Sequence, residues 1–151
     1  MGEARIGGAT RVAAVLGFPV AHSLSPVIHN AAFAALDMDW TYVALPVEPG
    51  LVPVAVVGLR ALGIAGANVT MPHKEAVADV MDELTDDAER LRAVNTIELR
   101  GGVLVGHNTD APGFARFLER DAGFDPAGRT ALLFGAGGAA RACALALARA
   151  G

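Results

Sequence analysis

The side chains of this sequence that can do chemistry are Ser23, Ser25, Asn68, Thr70, Lys74, Asn95, Thr96 and Asp110. Hydroxyl and amide groups of this kind suit an oxygen-rich ligand, and a lysine with an aspartate can exchange a proton at a carbon being oxidised. Lys74 ends the run Ala65-Gly-Ala-Asn-Val-Thr-Met-Pro-His-Lys74, which reads as a short buried strand turning into a helix. Pro72 is expected in the first helical turn, where its missing N–H costs nothing, and that helix is expected to reach about Glu83. A helix N-terminus disfavours a cation by roughly a few tenths of a kcal/mol, which suits an amine that must give up and regain a proton.

Two further stretches carry polar side chains to helix starts. Ser25 followed by Pro26 reads as an N-cap and N1 pair for an apolar helix ending near Leu36. Capping leaves Ser23 unexplained, and two hydroxyls at a helix N-terminus can hold a carboxylate together with backbone N–H groups. In His107-Asn108-Thr109-Asp110, Asp110 reads as the N-cap of a helix from about Pro112 to Asp121. One helix needs one cap, so the other capping-type residues there are free for another task.

A third stretch concerns a cofactor. Arg129 to Phe134 reads as an apolar strand running into Gly135-Ala136-Gly137-Gly138-Ala139-Ala140, followed by an Ala/Leu helix to Ala150. This is G-x-G-x-x-A between a strand and a helix, where glycines allow a tight turn and let backbone N–H groups approach a pyrophosphate. It is not a P-loop, because no Gly-Lys-Ser/Thr ends it. The residue that would select the ribose or its 2′-phosphate lies about 20 positions past the first glycine, beyond Gly151. One strand and one helix cannot bury their own apolar faces, so this unit is expected to pack against something more.

The elements that must position these groups follow from pattern. Strands are expected over Val12–Phe18, Trp40–Val47, Ile64–Val69, Ala93–Leu99 and Val103–Gly106, with a helix over Leu51–Leu62. Gly101-Gly102 makes a hairpin of the last two strands and therefore a mixed sheet. The β-helix-β order before it indicates a three-layer α/β sandwich. The acidic run from Asp79 to Glu89 reads as a solvated face. Residues 1 to 10 lack periodicity and read as a tail. The expected division is a substrate-binding α/β domain over 1–110, a connecting helix and linker over 111–128, and a truncated first βα unit of a Rossmann-type domain over 129–151.

Bulk properties exclude several classes. The 151 residues are 53% hydrophobic and 5% aromatic, so the core is built from Ala, Val and Leu. A net charge of −4 argues against an electrostatic nucleic-acid binder. No apolar run reaches the ~20 residues of a membrane span and no signal peptide is visible, so a cytoplasmic protein is expected. The four histidines show no ligand spacing, so no metal is expected, and Cys143 reads as a small buried hydrophobe in an Ala-rich helix. Nothing in the pattern decides between a monomer and a homodimer.

Taken together, Ser23-Leu-Ser25-Pro26, Asn68-Val-Thr-Met-Pro-His-Lys74, Ala93-Val-Asn-Thr96, Asn108-Thr-Asp110 and Gly135-Ala-Gly-Gly-Ala139 resemble, in order and spacing, the shikimate dehydrogenase family from about Val12 onward. The resemblance implies that Ser23 and Ser25 hold the substrate carboxylate and that Thr70, Asn95 and Asp110 bind ring hydroxyls. It implies that Lys74 and Asp110 form the acid/base pair at the C3 oxygen, interconverting 3-dehydroshikimate and shikimate with NADP. Gly135 to Ala139 would take the pyrophosphate. The family pattern continues past position 151, so the resemblance predicts weak cofactor binding and little turnover by this length of chain. Alternatives from the same residues are a quinate or amino-analogue dehydrogenase and a non-catalytic substrate-binding module.

Overall fold

The computed structural model describes residues 6–151. The elements in order are β1 (Arg11–Gly17), α1 (Ser25–Ala35), β2 (Trp40–Pro46), α2 (Val52–Ala61), β3 (Gly66–Val69), α3 (Lys74–Ala78), β4 (Glu83–Leu84), α4 (Asp86–Leu91), β5 (Thr96–Arg100), β6 (Val103–His107), α5 (Asp110–Arg116) and α6 (Gly138–Ala150). A π-helical turn, Phe117–Asp121, extends α5. The strands form one mixed sheet in the order β2-β1-β3-β5-β6-β4. β1 runs parallel to β2 and β3, while β5 is antiparallel to both β3 and β6.

Alternation along the strands separates two cores. Ala14 and Leu16 of β1 and Val43 and Leu45 of β2 face Val52, Val56 and Leu59 of α2 and Val77 of α3. Ala13, Val15, Tyr42 and Ala44 point the other way, to Phe33 of α1. Helices therefore cover both faces, giving the three layers of an α/β sandwich. Each fully buried Val or Leu contributes roughly 1.5–3 kcal/mol, so this alternation outweighs the weak strand propensity of the alanines. A third cluster joins Leu91 and Ala93 to Ala111 of α5 and to Ala142 and Ala146 of α6.

The acidic run is not simply a solvated face, and the helix expected to reach Glu83 ends at Ala78. The Asp82 carboxylate accepts the Leu104 N–H at 2.7 Å and pairs with Arg60, which draws the chain to β6. Glu83 and Leu84 then pair with Val105 and Gly106. Asp86, Asp87 and Glu89 sit in the first turn of α4, where the helix dipole favours negative charge. Pro72 lies in the turn before α3, because the His73 N–H bonds back to the Thr70 carbonyl at 3.0 Å and the helix starts only at Lys74.

The strand expected over 129–134 is absent. Among the described residues this stretch pairs with no strand, and Leu132, Leu133 and Phe134 are 79%, 43% and 91% exposed. An isolated strand gains no ladder hydrogen bonds and buries neither face, so apolar composition alone does not make one. The helix after the glycines does form and packs on α4 and α5, with Arg149 on Asp87 and Arg141 on Glu75. Of the expected tail, residues 1–5 lie outside the described residues. Gly7 to Thr10 form a turn whose Thr10 hydroxyl donates to Asp39 at 2.6 Å.

Candidate active site

The sheet topology brings the polar residues to one edge. β1 and β3 are parallel, so the segment to Ser23 and Ser25 and the segment to Thr70 and Lys74 leave the same end of the sheet. β5 runs the other way and begins there: Thr96 pairs with Asn68 on one side and with His107 on the other. Asn108 to Asp110 then leave β6 at that same end. Open α/β sheets bind ligands at the edge where their parallel strands end.

Lys74 and Asp110 meet. Lys74 Nζ donates to Asp110 Oδ2 at 2.6 Å, and the two side chains are 24% and 31% exposed. Asn95, buried, donates from Nδ2 to Asp110 Oδ1 at 2.8 Å and to Thr109 Oγ1 at 2.9 Å. Its Oδ1 accepts the Thr109 N–H and the Thr96 hydroxyl, both at 3.0 Å. Asn68 Nδ2 donates to Thr96 Oγ1 at 3.2 Å, and the Tyr42 hydroxyl donates to Asn68 Oδ1 at 2.6 Å. A partly exposed amine and carboxylate thus stand on a hydrogen-bonded floor, a pairing whose chemistry allows proton exchange.

Neighbouring residues hold this pair in place. The Val94 N–H donates to the Lys74 carbonyl at 2.8 Å. His73, 2% exposed, has Nε2 at 2.6 Å from the Val47 carbonyl oxygen and so acts as a donor that ties α3 to the end of β2. Asp110 is not the cap of α5; Thr109 occupies that position. Asn108 accepts the Asp110 N–H at 3.0 Å and donates to the Ala93 carbonyl at 2.9 Å, which frees the aspartate carboxylate for Lys74. Ser25 likewise is the first helical residue rather than the cap, because Leu24 takes that position and the Ser23 hydroxyl accepts the Ser25 N–H at 3.2 Å.

Ser23, Ser25 and Thr70 make no side-chain bond to the Lys74–Asp110 cluster. Both serines are half-buried at the start of α1. The Thr70 N–H donates to the Leu16 carbonyl at 2.9 Å, and its methyl group lies against Gly17 so closely that a Cβ there would collide with Thr70 Cγ2. The glycine turn borders the cluster. A Cβ at Gly138 would meet Lys74 Cδ at 3.9 Å, while Gly135 has a φ of 105° that favours glycine. Gly137 is the extended N-cap of α6, and Ala139 lies in its first turn. Sequence reasoning missed Tyr42, Asn108 and Thr109; the surplus of capping-type residues at 108–110 was the signal for the latter two. A cavity of about 380 Å³ lies elsewhere, between α5, α6 and the 123–126 loop, and holds none of these groups.

Residues 15–97 match the model of the shikimate dehydrogenase substrate binding domain. The chain is 53% identical over 146 residues to the shikimate dehydrogenase (NADP+) of Geobacter metallireducens, covering 97% of this chain and 51% of that protein. It also superposes on the crystal structure of shikimate dehydrogenase from Aquifex aeolicus with a TM-score of 0.92 and 37% identity, covering 97% of this chain and 55% of that one. The shikimate 5-dehydrogenase of Listeria monocytogenes in complex with shikimate and NAD gives 0.90 and 41%, covering 97% and 50%. The chain therefore spans about half the length of the curated relatives it matches. With a substrate-binding-domain match over more than half of its residues, the chain belongs to the shikimate dehydrogenase family.

Proposed function

We propose that this chain supplies the substrate site and the first cofactor-binding turn of an NADP-dependent oxidoreductase that interconverts 3-dehydroshikimate and shikimate. The observation that carries the reading is the Lys74–Asp110 pair, at 2.6 Å on the edge where the sheet's polar residues gather. Relatives at about half identity are named for this reaction with NADP+. In this reading Ser23 and Ser25 hold the substrate carboxylate, and Thr70, Asn95 and Asp110 take ring hydroxyls. Lys74 and Asp110 pass the proton at the C3 oxygen, and a bound NADP would supply the hydride chemistry at C3. Bound hydroxyl groups can fill the lone pairs and N–H groups that the cluster leaves unused.

Residues 1–110 then act as the substrate domain, 111–128 connect, and the Gly135, Ala136, Gly137, Gly138 and Ala139 backbone receives the pyrophosphate at the start of α6. Those residues fit the group: a Cβ at Gly135 or Gly137 would meet nothing within 4 Å, and Gly137 is extended ahead of a 13-residue helix. The ligands are small molecules. No helix among the described residues is long and apolar enough to cross a membrane.

Calorimetric titration of the chain with shikimate, with and without NADP, tests this. Saturable shikimate binding abolished by Asp110→Ala is expected. No binding by the unaltered chain would overturn the reading. Tighter binding of quinate than of shikimate would favour the quinate alternative.

A further inference from the structure

We infer that Tyr42 is a positioning residue for the substrate pocket: its hydroxyl locks the orientation of the Asn68 amide at one end of a directional hydrogen-bond chain. The role in ligand binding rests on the pocket reading proposed above. The chain runs from the Tyr42 hydroxyl through Asn68, Thr96 and Asn95 to Asp110. Amides and hydroxyls can each donate or accept, so such a chain has two possible directions until its fixed members are considered.

The fixed members are the Asp110 carboxylate, which accepts, and the Thr109 backbone N–H, which donates to Asn95 Oδ1 at 3.0 Å. They set Asn95 with its Nδ2 toward Asp110. The Thr96 proton is then spent on Asn95 Oδ1, so Thr96 Oγ1 accepts from Asn68 Nδ2. Asn68 Oδ1 is left facing Tyr42, which must donate. Tyr42 is 3% exposed, and burial pushes its phenol up to about 12, so the proton stays in place at ordinary pH. The second hydrogen of Asn68 Nδ2 has no partner among the described residues and is the donor offered to a ligand oxygen.

Tyr42 is itself held from the serine-bearing helix. His29 of α1 stacks on its ring at 4.2 Å with planes 10° apart. Asn30 of α1 clamps its backbone, donating to the Tyr42 carbonyl at 2.9 Å and accepting its N–H at 2.8 Å. One side chain thus joins the helix that begins with Ser25 to the rim that carries Asn68, Asn95 and Asp110. Removing the hydroxyl leaves ring packing intact and frees one end of the Asn68 amide.

The test is a double-mutant cycle on the 151-residue chain, titrated with shikimate in a calorimeter. Tyr42→Phe should weaken binding roughly three- to tenfold, the range expected for one net hydrogen bond. Asn68→Ala should weaken it further, and the double variant should bind no worse than Asn68→Ala alone, because Tyr42 acts through Asn68. Losses that multiply independently, or no loss in Tyr42→Phe, would overturn the proposal. A ligand-free readout separates this from the pocket reading: in Tyr42→Phe the side-chain amide resonances of Asn68 should shift and exchange faster. Unmoved Asn68 resonances would overturn the chain of bonds itself. Absence of shikimate binding by the unaltered protein would instead overturn the pocket reading and Tyr42's part in it.

Discussion

Asn95 Nδ2 lies 2.8 Å from Asp110 Oδ1 while Lys74 Nζ lies 2.6 Å from Oδ2, so each oxygen of one carboxylate has its own protein donor. The aspartate is thereby fixed in rotation, with Asn95 anchored in turn by the Thr109 backbone N–H. Held at both oxygens, the carboxylate keeps its place beside Lys74.

Asn95→Ala removes five side-chain hydrogen bonds at a buried position and strands both the Thr109 N–H and the Thr96 hydroxyl. Stability should fall by about 1–3 kcal/mol, read as a lower urea midpoint with an unchanged denaturant slope. A midpoint equal to that of the parent would mean that the cluster is not formed in solution.

Gly17→Ala tests the contact under Thr70. A Cβ at position 17 collides with Thr70 Cγ2 and comes within 3.3 Å of the Met71 carbonyl oxygen. Overpacking of this kind costs about 1–3 kcal/mol, and the threonine must move to relieve it. Shikimate affinity should therefore drop along with thermal stability. Restored affinity in Gly17→Ala/Thr70→Ser, which deletes the clashing methyl but keeps the hydroxyl, would assign the loss to Thr70.

Docking of α6 should depend on pH. The Arg149 guanidinium hydrogen-bonds Asp87 and holds its carboxyl below the usual carboxylate range, against the opposing effect of burial. A group lowered on folding contributes fully above its unfolded value and loses that contribution as pH falls through its folded value. Amide protection in α6, corrected for intrinsic exchange, should be high at neutral pH and decline below the usual carboxylate range. Asp87→Asn should show the low-pH level at neutral pH, and equal protection in the two proteins would contradict this.

How much of this was legible in the sequence depended on whether the deciding interaction was local. The Gly101-Gly102 hairpin, the strand-helix alternation and the glycine turn into α6 are short-range patterns and appear in the structure. The break of the acidic run into β4 and α4 was hidden because it depends on Asp82 reaching Arg60 and the Leu104 N–H, each 22 residues away. Residues 129–134 have strand composition, but a strand needs a neighbour that the local pattern cannot supply. Ser25 and Asp110 read as caps because their types suit caps; Ser23 and Asn108 instead accept the N–H groups there, which is invisible without coordinates. Tyr42 looked like an ordinary strand residue, since its partners Asn30 and Asn68 lie on other elements.

The most direct test of the Lys74–Asp110 pair joins this chain to the remaining half of the Geobacter metallireducens relative and follows shikimate-dependent reduction of NADP. Lys74→Ala should lower turnover by about 10²–10⁴-fold, the usual contribution of a positioned acid/base group, with the shikimate KM changed by less than about tenfold. Turnover in Lys74→Ala equal to that of the parent fusion would contradict the assignment of proton transfer to this pair.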